Sequence, residues 1–284
     1  MPDDPSPHQP ELTGQVAVVT GGGRGLGRAF AEALAGAGAT VALAARSAAQ
    51  LAEVVAAIGR AGGHALAIPT DIADGGAVER MVATVEQQLG PVDLLINNAA
   101  ITTPVGPVCE VDADAWWRCM EANLRGPFLC SRMVVPRMIA RRRGRIVNVA
   151  STAGLRAIAG HSAYGTSKAA LIRLTEILAA ETQRHGLAVF AINPGLVRTT
   201  MTEHLADSVE GRQWMPWVGA TLAAGRDVPV RAVVDLVLYL ASGRADVLSG
   251  RFLNVSDDVA GLVARHSEIV QGDFYTMRLN VPPT

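Results

Sequence analysis

The chain is 284 residues long, with a formal net charge of −1 and 49% apolar residues, a size and balance suited to a single α/β domain. No charge excess is available to hold nucleic acid or an anionic membrane surface, so neither is expected as a partner. No apolar run reaches transmembrane length, and the start MPDDPSPHQP lacks the basic and apolar regions of a signal peptide. Cys109, Cys119 and Cys130 lack the spacing of a zinc site or a disulfide framework, so no metal is expected and the cysteines read as small apolar filler in a cytoplasmic protein.

Residues 1–14 carry four Pro and two Asp and read as a disordered lead-in. Beyond them, residues 15–20, 40–45, 64–69, 92–97, 145–150, 187–192 and 251–255 are short, nearly continuous apolar runs. That is the pattern of strands buried on both faces of a parallel sheet. Helical periodicity occupies 25–37, 47–60, 74–89, 112–141, 163–185 and 228–241. The alternation predicts one doubly wound α/β domain over 15–255, a Rossmann fold with a seven-stranded parallel sheet flanked by helices. Two stretches break the rhythm: 200–218, which holds Trp214 and Trp217, and the extension 256–284.

The first strand runs directly into Thr20-Gly-Gly-Gly-Arg-Gly-Leu-Gly27, which opens the first helix. Glycines between a strand and a helix let the backbone approach a pyrophosphate seated on the helix N-terminus, so this loop is a candidate dinucleotide cradle. An NAD site places an acidic residue about 20 residues on, for the ribose 2′-hydroxyl. Here the second strand ends in Ala44-Ala45-Arg46-Ser47, with no acid between Gly21 and Gln50 except Glu32 inside the first helix. Arg46, seconded by Arg24, suits a 2′-phosphate, and NADP(H) is the expected cofactor.

Of 25 basic residues one is lysine, Lys168, and the rest are arginine. A compact, rotatable ammonium does what a guanidinium does not, and this one follows Tyr164 by four residues on a predicted helix, on the same face. A nearby ammonium is expected to draw the phenol's pKa down toward neutrality and make Tyr164 an acid/base. Ser151 lies just past the fifth predicted strand, where ligands bind in open α/β sheets. Asn123 sits mid-helix against its propensity, which points to a task such as holding a backbone group or a water; a helix kink near Pro127 is the alternative.

Thr20–Gly27, Asn97-Asn98-Ala99-Ala100, Asn123, Ser151, Tyr164 with Lys168, and Pro194-Gly195 together resemble the short-chain dehydrogenase/reductase family, in family order over about 14–255. The resemblance is to ketoreductase-like members such as 3-oxoacyl-carrier-protein reductases. It implies that Ser151 orients the substrate, Tyr164 is the acid/base, Lys168 tunes Tyr164 and binds the nicotinamide ribose, and Asn123 supports a water relay. It implies further cofactor contacts from Gly21, Gly23, Arg24, Gly25, Leu26, Gly27, Arg46, Ser47, Asp71, Ile72, Asn98, Ala99, Pro194, Gly195, Val197 and Thr199. A mobile lid over 200–218 and a homotetramer or dimer are also implied. Ala100 stands where the family has glycine, and Ser256-Asp257-Asp258 replaces the family's usual ending. The expected activity is hydride transfer between NADPH and a small-molecule carbonyl or secondary alcohol. An NAD-dependent alcohol dehydrogenase or a non-catalytic nucleotide sensor are the alternatives. His161 reads as a partly exposed helix-start residue, and Arg141-Arg142-Arg143 as charge at a helix end.

Overall fold

The computed structural model describes residues 11–279. Seven strands form one parallel sheet: β1 (Val16–Thr20), β2 (Thr40–Ala45), β3 (His64–Pro69), β4 (Leu94–Asn97), β5 (Gly144–Val149), β6 (Leu187–Asn193) and β7 (Phe252–Asn254). Their order is β3-β2-β1-β4-β5-β6-β7, so the direction of winding reverses between β1 and β4. In an open parallel sheet that reversal leaves a crevice at the carboxyl ends of the strands.

Each strand feeds both faces. In β1, Ala17 and Val19 join one core with Phe30, Leu34 and Val237, while Val16 and Val18 join the other with Val82, Val134 and Ile146. The first face is covered by α1 (Gly25–Gly36), α2 (Ala48–Arg60) and α10 (Val230–Ala241), and the second by α3 (Gly75–Gln88), α5 (Gly126–Arg141) and α6 (Ser162–Thr182). This two-sided burial is what the unbroken apolar runs encode.

Four local differences from the sequence reading have physical causes. The helix expected over 112–141 is α4 (Ala113–Met120), a π-helical turn at Glu121–Arg125, and then α5. Asp112 caps α4 through Ala115 N at 2.7 Å, and the wide turn is placed by the hydrogen bonds of Asn123. Segment 200–218 is three short helices, α7 (Thr200–Asp207), α8 (Val209–Trp214) and α9 (Pro216–Ala223), whose Leu205, Met215, Val218 and Leu222 form a small core of their own. Of the expected lead, residues 1–10 lie outside the described residues, but Leu12 is 1% exposed and its amide donates to Ala37 O at 2.7 Å. The extension after β7 folds back through α11 (Val259–Ala264) and α12 (His266–Gln271); Phe252 N then donates to Tyr275 O at 2.8 Å. Residues 280–284 of that extension lie outside the described residues.

The arginine run at the end of α5 is spent internally. Arg141 and Arg143 reach Asp93 at 3.0 and 3.3 Å, and Arg145 grips Asp246 with two bonds of 2.8 and 2.7 Å. All of these lie at the amino ends of the strands, away from the crevice.

Candidate active site

The crevice begins at the end of β1. Thr20, fully buried, accepts from Asn98 N and Ala99 N at 3.0 and 3.1 Å, and Asn98 Nδ2 returns a bond to Thr20 O at 2.9 Å. This ties the glycine loop to the segment after β4 across the point of reversal. Two glycines are required by space. A Cβ on Gly27 would stand 2.1 Å from Gly21 O, and one on Gly21, whose φ is +67°, would stand 2.9 Å from Ala99 Cα. The loop is thus a cradle of bare backbone at the start of α1. Gly23 packs against Gln50, Leu26 is half-buried, and a Cβ on Gly25 would meet the Thr199 methyl at 3.6 Å.

Thr199 arrives there from the far side. After β6, Pro194 and Gly195 turn the chain, Gly195 with a φ of +70°, and Val197 is buried. Thr199 then caps α7 with a reciprocal bond to Thr202. Ile72 is buried against Gly126, and Asp71 stays exposed, its carboxylate accepting from Ala73 N at 3.0 Å. Ser47 caps α2 through Gln50 N at 3.3 Å. Arg24 and Arg46 are exposed on adjoining loops, Gly21 N and Gly22 N both donating to Ala44 O. Neither arginine has an ion-pair partner among the described residues.

Ser151, Tyr164 and Lys168 converge past β5. Ser151 Oγ accepts from Ala153 N at 3.1 Å, which leaves its own hydrogen for the Tyr164 phenol beside it. Lys168 is 2% exposed; its Nζ donates to Val149 O at 2.7 Å and stands 5.4 Å from the centre of the Tyr164 ring. Burial pushes Tyr164 up to about 12, against the opposing effect of a hydrogen bond with Ser151. Burial also pushes Lys168 down to about 8, the nearby Cys119 acting the other way. The expected lowering of the Tyr164 pKa by Lys168 is therefore not seen: desolvation is the largest influence on the phenol, and the ammonium is turned to a carbonyl.

Asn123 is wholly buried in the π-helical turn. Its Oδ1 accepts from Ile101 N at 2.9 Å, and its Nδ2 reaches Ile101 O at 2.8 Å, Ser167 Oγ at 3.0 Å and Cys119 Sγ at 3.3 Å. Of the two tasks foreseen for it, the structure displays the hold on a backbone group. His161 departs from its expected exposure: it is 6% exposed, its Nε2 lies 2.8 Å from Thr102 Oγ1, and its ring stacks on Tyr164. Thr102 and Ser167 were not singled out in the sequence, where nothing marks them, and Cys119 was read there only as apolar filler; their place depends on loops and helices that meet only in the fold. Trp214 packs over Gly160, whereas Trp217 is half exposed.

Residues 15–210 match the family model for short chain dehydrogenases. A short chain dehydrogenase of Pseudocercospora fijiensis is 36% identical over 269 residues, covering 90% of this chain and 84% of its own length. A 3-oxoacyl-[acyl-carrier-protein] reductase of Synechocystis is 37% identical over 195 residues, 68% of this chain and 78% of its own. A crystal structure assigned as a gluconate dehydrogenase of Agrobacterium tumefaciens superposes with a TM-score of 0.79 at 31% identity, over 90% of this chain and 98% of that one. With the sheet order, the glycine cradle and these likenesses in hand, the chain belongs to the short-chain dehydrogenases, oxidoreductases that use a nicotinamide cofactor and act on small molecules.

Proposed function

We propose that the protein is an NADPH-dependent reductase of a small-molecule carbonyl, running also as the reverse alcohol dehydrogenase. The observation that carries the cofactor choice is the pair Arg24 and Arg46, exposed without ion partners beside the glycine loop, where the end of β2 offers no carboxylate. A guanidinium there binds a 2′-phosphate bidentately, and a carboxylate would repel it. Gly21, Gly25 and Gly27 would cradle the pyrophosphate, Asn98 and Ala99 would line the cleft, and Val197 and Thr199 would close on the nicotinamide end.

Bound there, the dinucleotide supplies the hydride. The chain's own residues manage the oxygen. Ser151, whose hydroxyl meets the phenol, would turn its hydrogen to a carbonyl oxygen entering beside them, and Tyr164, protonated at neutral pH because burial holds it near 12, has a proton to deliver to that oxygen. The Lys168 cation, 5.4 Å from the ring, favours the phenolate left behind. The Synechocystis relative, a reductase by name, is in keeping with a carbonyl substrate. Trp117, Phe128 and Ile177 expose apolar surface on α4, α5 and α6, in keeping with a homo-oligomer.

The test is NADPH oxidation, followed by absorbance, over a panel of ketones and β-ketoacyl thioesters. Turnover by the wild type and its loss in Tyr164→Phe, with NADPH affinity kept, is the expected result. A Tyr164→Phe variant as active as the wild type removes Tyr164 from the role, and NADPH binding without turnover of any carbonyl overturns the reading.

A further inference from the structure

His161 precedes α6 as its N-cap, yet its side chain makes no capping bond. Instead the imidazole lies almost parallel to the Tyr164 ring, with centroids 4.6 Å apart and planes inclined by 10°. Its outer edge is anchored by Thr102 Oγ1, 2.8 Å from Nε2. Thr102 is itself held, because Asn123 takes both the N–H and the carbonyl of the preceding Ile101. The backbone beside the imidazole is pinned as well: Gly106 N donates to Gly160 O at 2.8 Å, and Trp214 covers Gly160.

The arrangement runs against economy of packing. The ring is 6% exposed and its Nδ1 is buried with no hydrogen-bond partner among the described residues. A leucine would fill the place without stranding a polar nitrogen. It would not present a flat face to a phenol, nor be fixed in its plane by a hydrogen bond at its far edge.

We infer that His161 is a positioning residue for Tyr164: anchored through Thr102, its ring sets the plane of the phenol and keeps water off that face. Its bearing on turnover rests on the acid/base reading of Tyr164; its bearing on the ionisation of the phenol does not. The groups that meet the phenol are Ser151, Cys119, Lys168 and His161. Burial holds His161 near 4 and Cys119 near 11, so at neutral pH the stack is neutral ring on neutral ring and Lys168 carries the one charge among them.

The chain has three tyrosines, so the double substitution Tyr239→Phe/Tyr275→Phe leaves Tyr164 as the sole source of tyrosinate absorbance. In that background Tyr164 should stay un-ionised to about pH 10.5, with the fold followed by circular dichroism. His161→Ala wets the exposed face and should bring the midpoint down by about one unit or more, toward the ordinary value of about 10. His161→Phe restores a flat ring and should keep the phenol silent. Thr102→Val removes only the anchoring bond, and carries the same test if the alanine variant fails to fold. On the carbonyl compound the wild type reduces fastest, His161→Ala should lower kcat by roughly ten- to a hundredfold with KM for the cofactor little changed, and His161→Phe should recover most of it. An unmoved Tyr164 titration in the folded His161→Ala or Thr102→Val variant overturns the inference. So does full kcat in His161→Ala while Tyr164→Phe is inactive. An active Tyr164→Phe variant instead sinks the acid/base reading and leaves the titration to decide the clamp.

Discussion

At the scale of single residues, the two ends of the crevice make separable demands. Arg46 is exposed and without an ion partner, so its replacement should leave the fold alone and change only what the mouth of the cleft attracts. On the proposed NADPH reading, Arg46→Asp would remove a charge-assisted contact worth about 1.5–3 kcal/mol to a 2′-phosphate and set a repulsive carboxylate in its place. The ratio of kcat/KM for NADPH over NADH should fall by roughly ten- to a hundredfold or more; an unchanged ratio would remove Arg46 from the phosphate assignment. His161 gives a residue-scale prediction about stability instead. Burial lowers it from the ordinary 6.5 to about 4, so between those values the unfolded chain binds a proton that the native one refuses. Stability from this group is whole above pH 6.5 and is lost as pH falls toward 4, by about 3 kcal/mol in all. His161→Phe should flatten that part of the acid limb in urea unfolding curves. A variant curve parallel to that of the wild type would show that His161 is not held neutral.

At the scale of elements, the strands and the helices α1, α2, α3 and α10 were legible within a residue or two, because two-sided burial writes continuous apolar runs and amphipathic helices write a 3.6-residue period. The glycine loop and the Tyr164–Lys168 spacing were legible for the same reason, since their geometry is local. What was not legible is long-range. The π-helical turn at Glu121–Arg125 is placed by Asn123 reaching Ile101, and the burial of His161 depends on Thr102 and on Trp214 over Gly160. Tyr164 went the other way from its expectation because burial, which the helical spacing does not encode, is the largest influence on the phenol. Asn123 shows how an element can be bent to serve a loop. A regular α-helical turn would carry its side chain out of register with Ile101, and π-turns inside helices recur at functional sites. Asn123→Ala leaves a buried N–H and carbonyl of Ile101 without their side-chain partner, and should cost roughly 1–3 kcal/mol in denaturant unfolding. It should also reduce kcat, because Ile101 leads directly into Thr102 and the His161 stack. Loss of stability with kcat intact would confine Asn123 to holding the loop.

At the scale of the whole molecule, the sheet divides its labour between its two ends. The carboxyl ends of the strands hold the glycine cradle, Ser151, Tyr164 and Lys168, with bare backbone and buried polar groups that do not favour stability. The amino ends hold ion pairs instead. Asp93, just before β4, accepts from Val16 N at 3.1 Å and pairs with Arg141 and Arg143, its side chain only 7% exposed. One carboxylate thus ties the start of β1 to the end of α5 on the side opposite the crevice. Asp93→Ala strands the Val16 amide and leaves two guanidiniums without their common partner, one of them largely buried. The loss should be roughly 2–4 kcal/mol, read as a lower midpoint in urea unfolding with little change in slope. Because β1 and β4 run from this end to the crevice as rigid parallel strands, the folded fraction should keep its kcat/KM for carbonyl reduction within about twofold. If turnover per folded molecule falls along with stability, the two ends are coupled through β1 and β4, and the cradle draws its shape from the ion pairs beneath it.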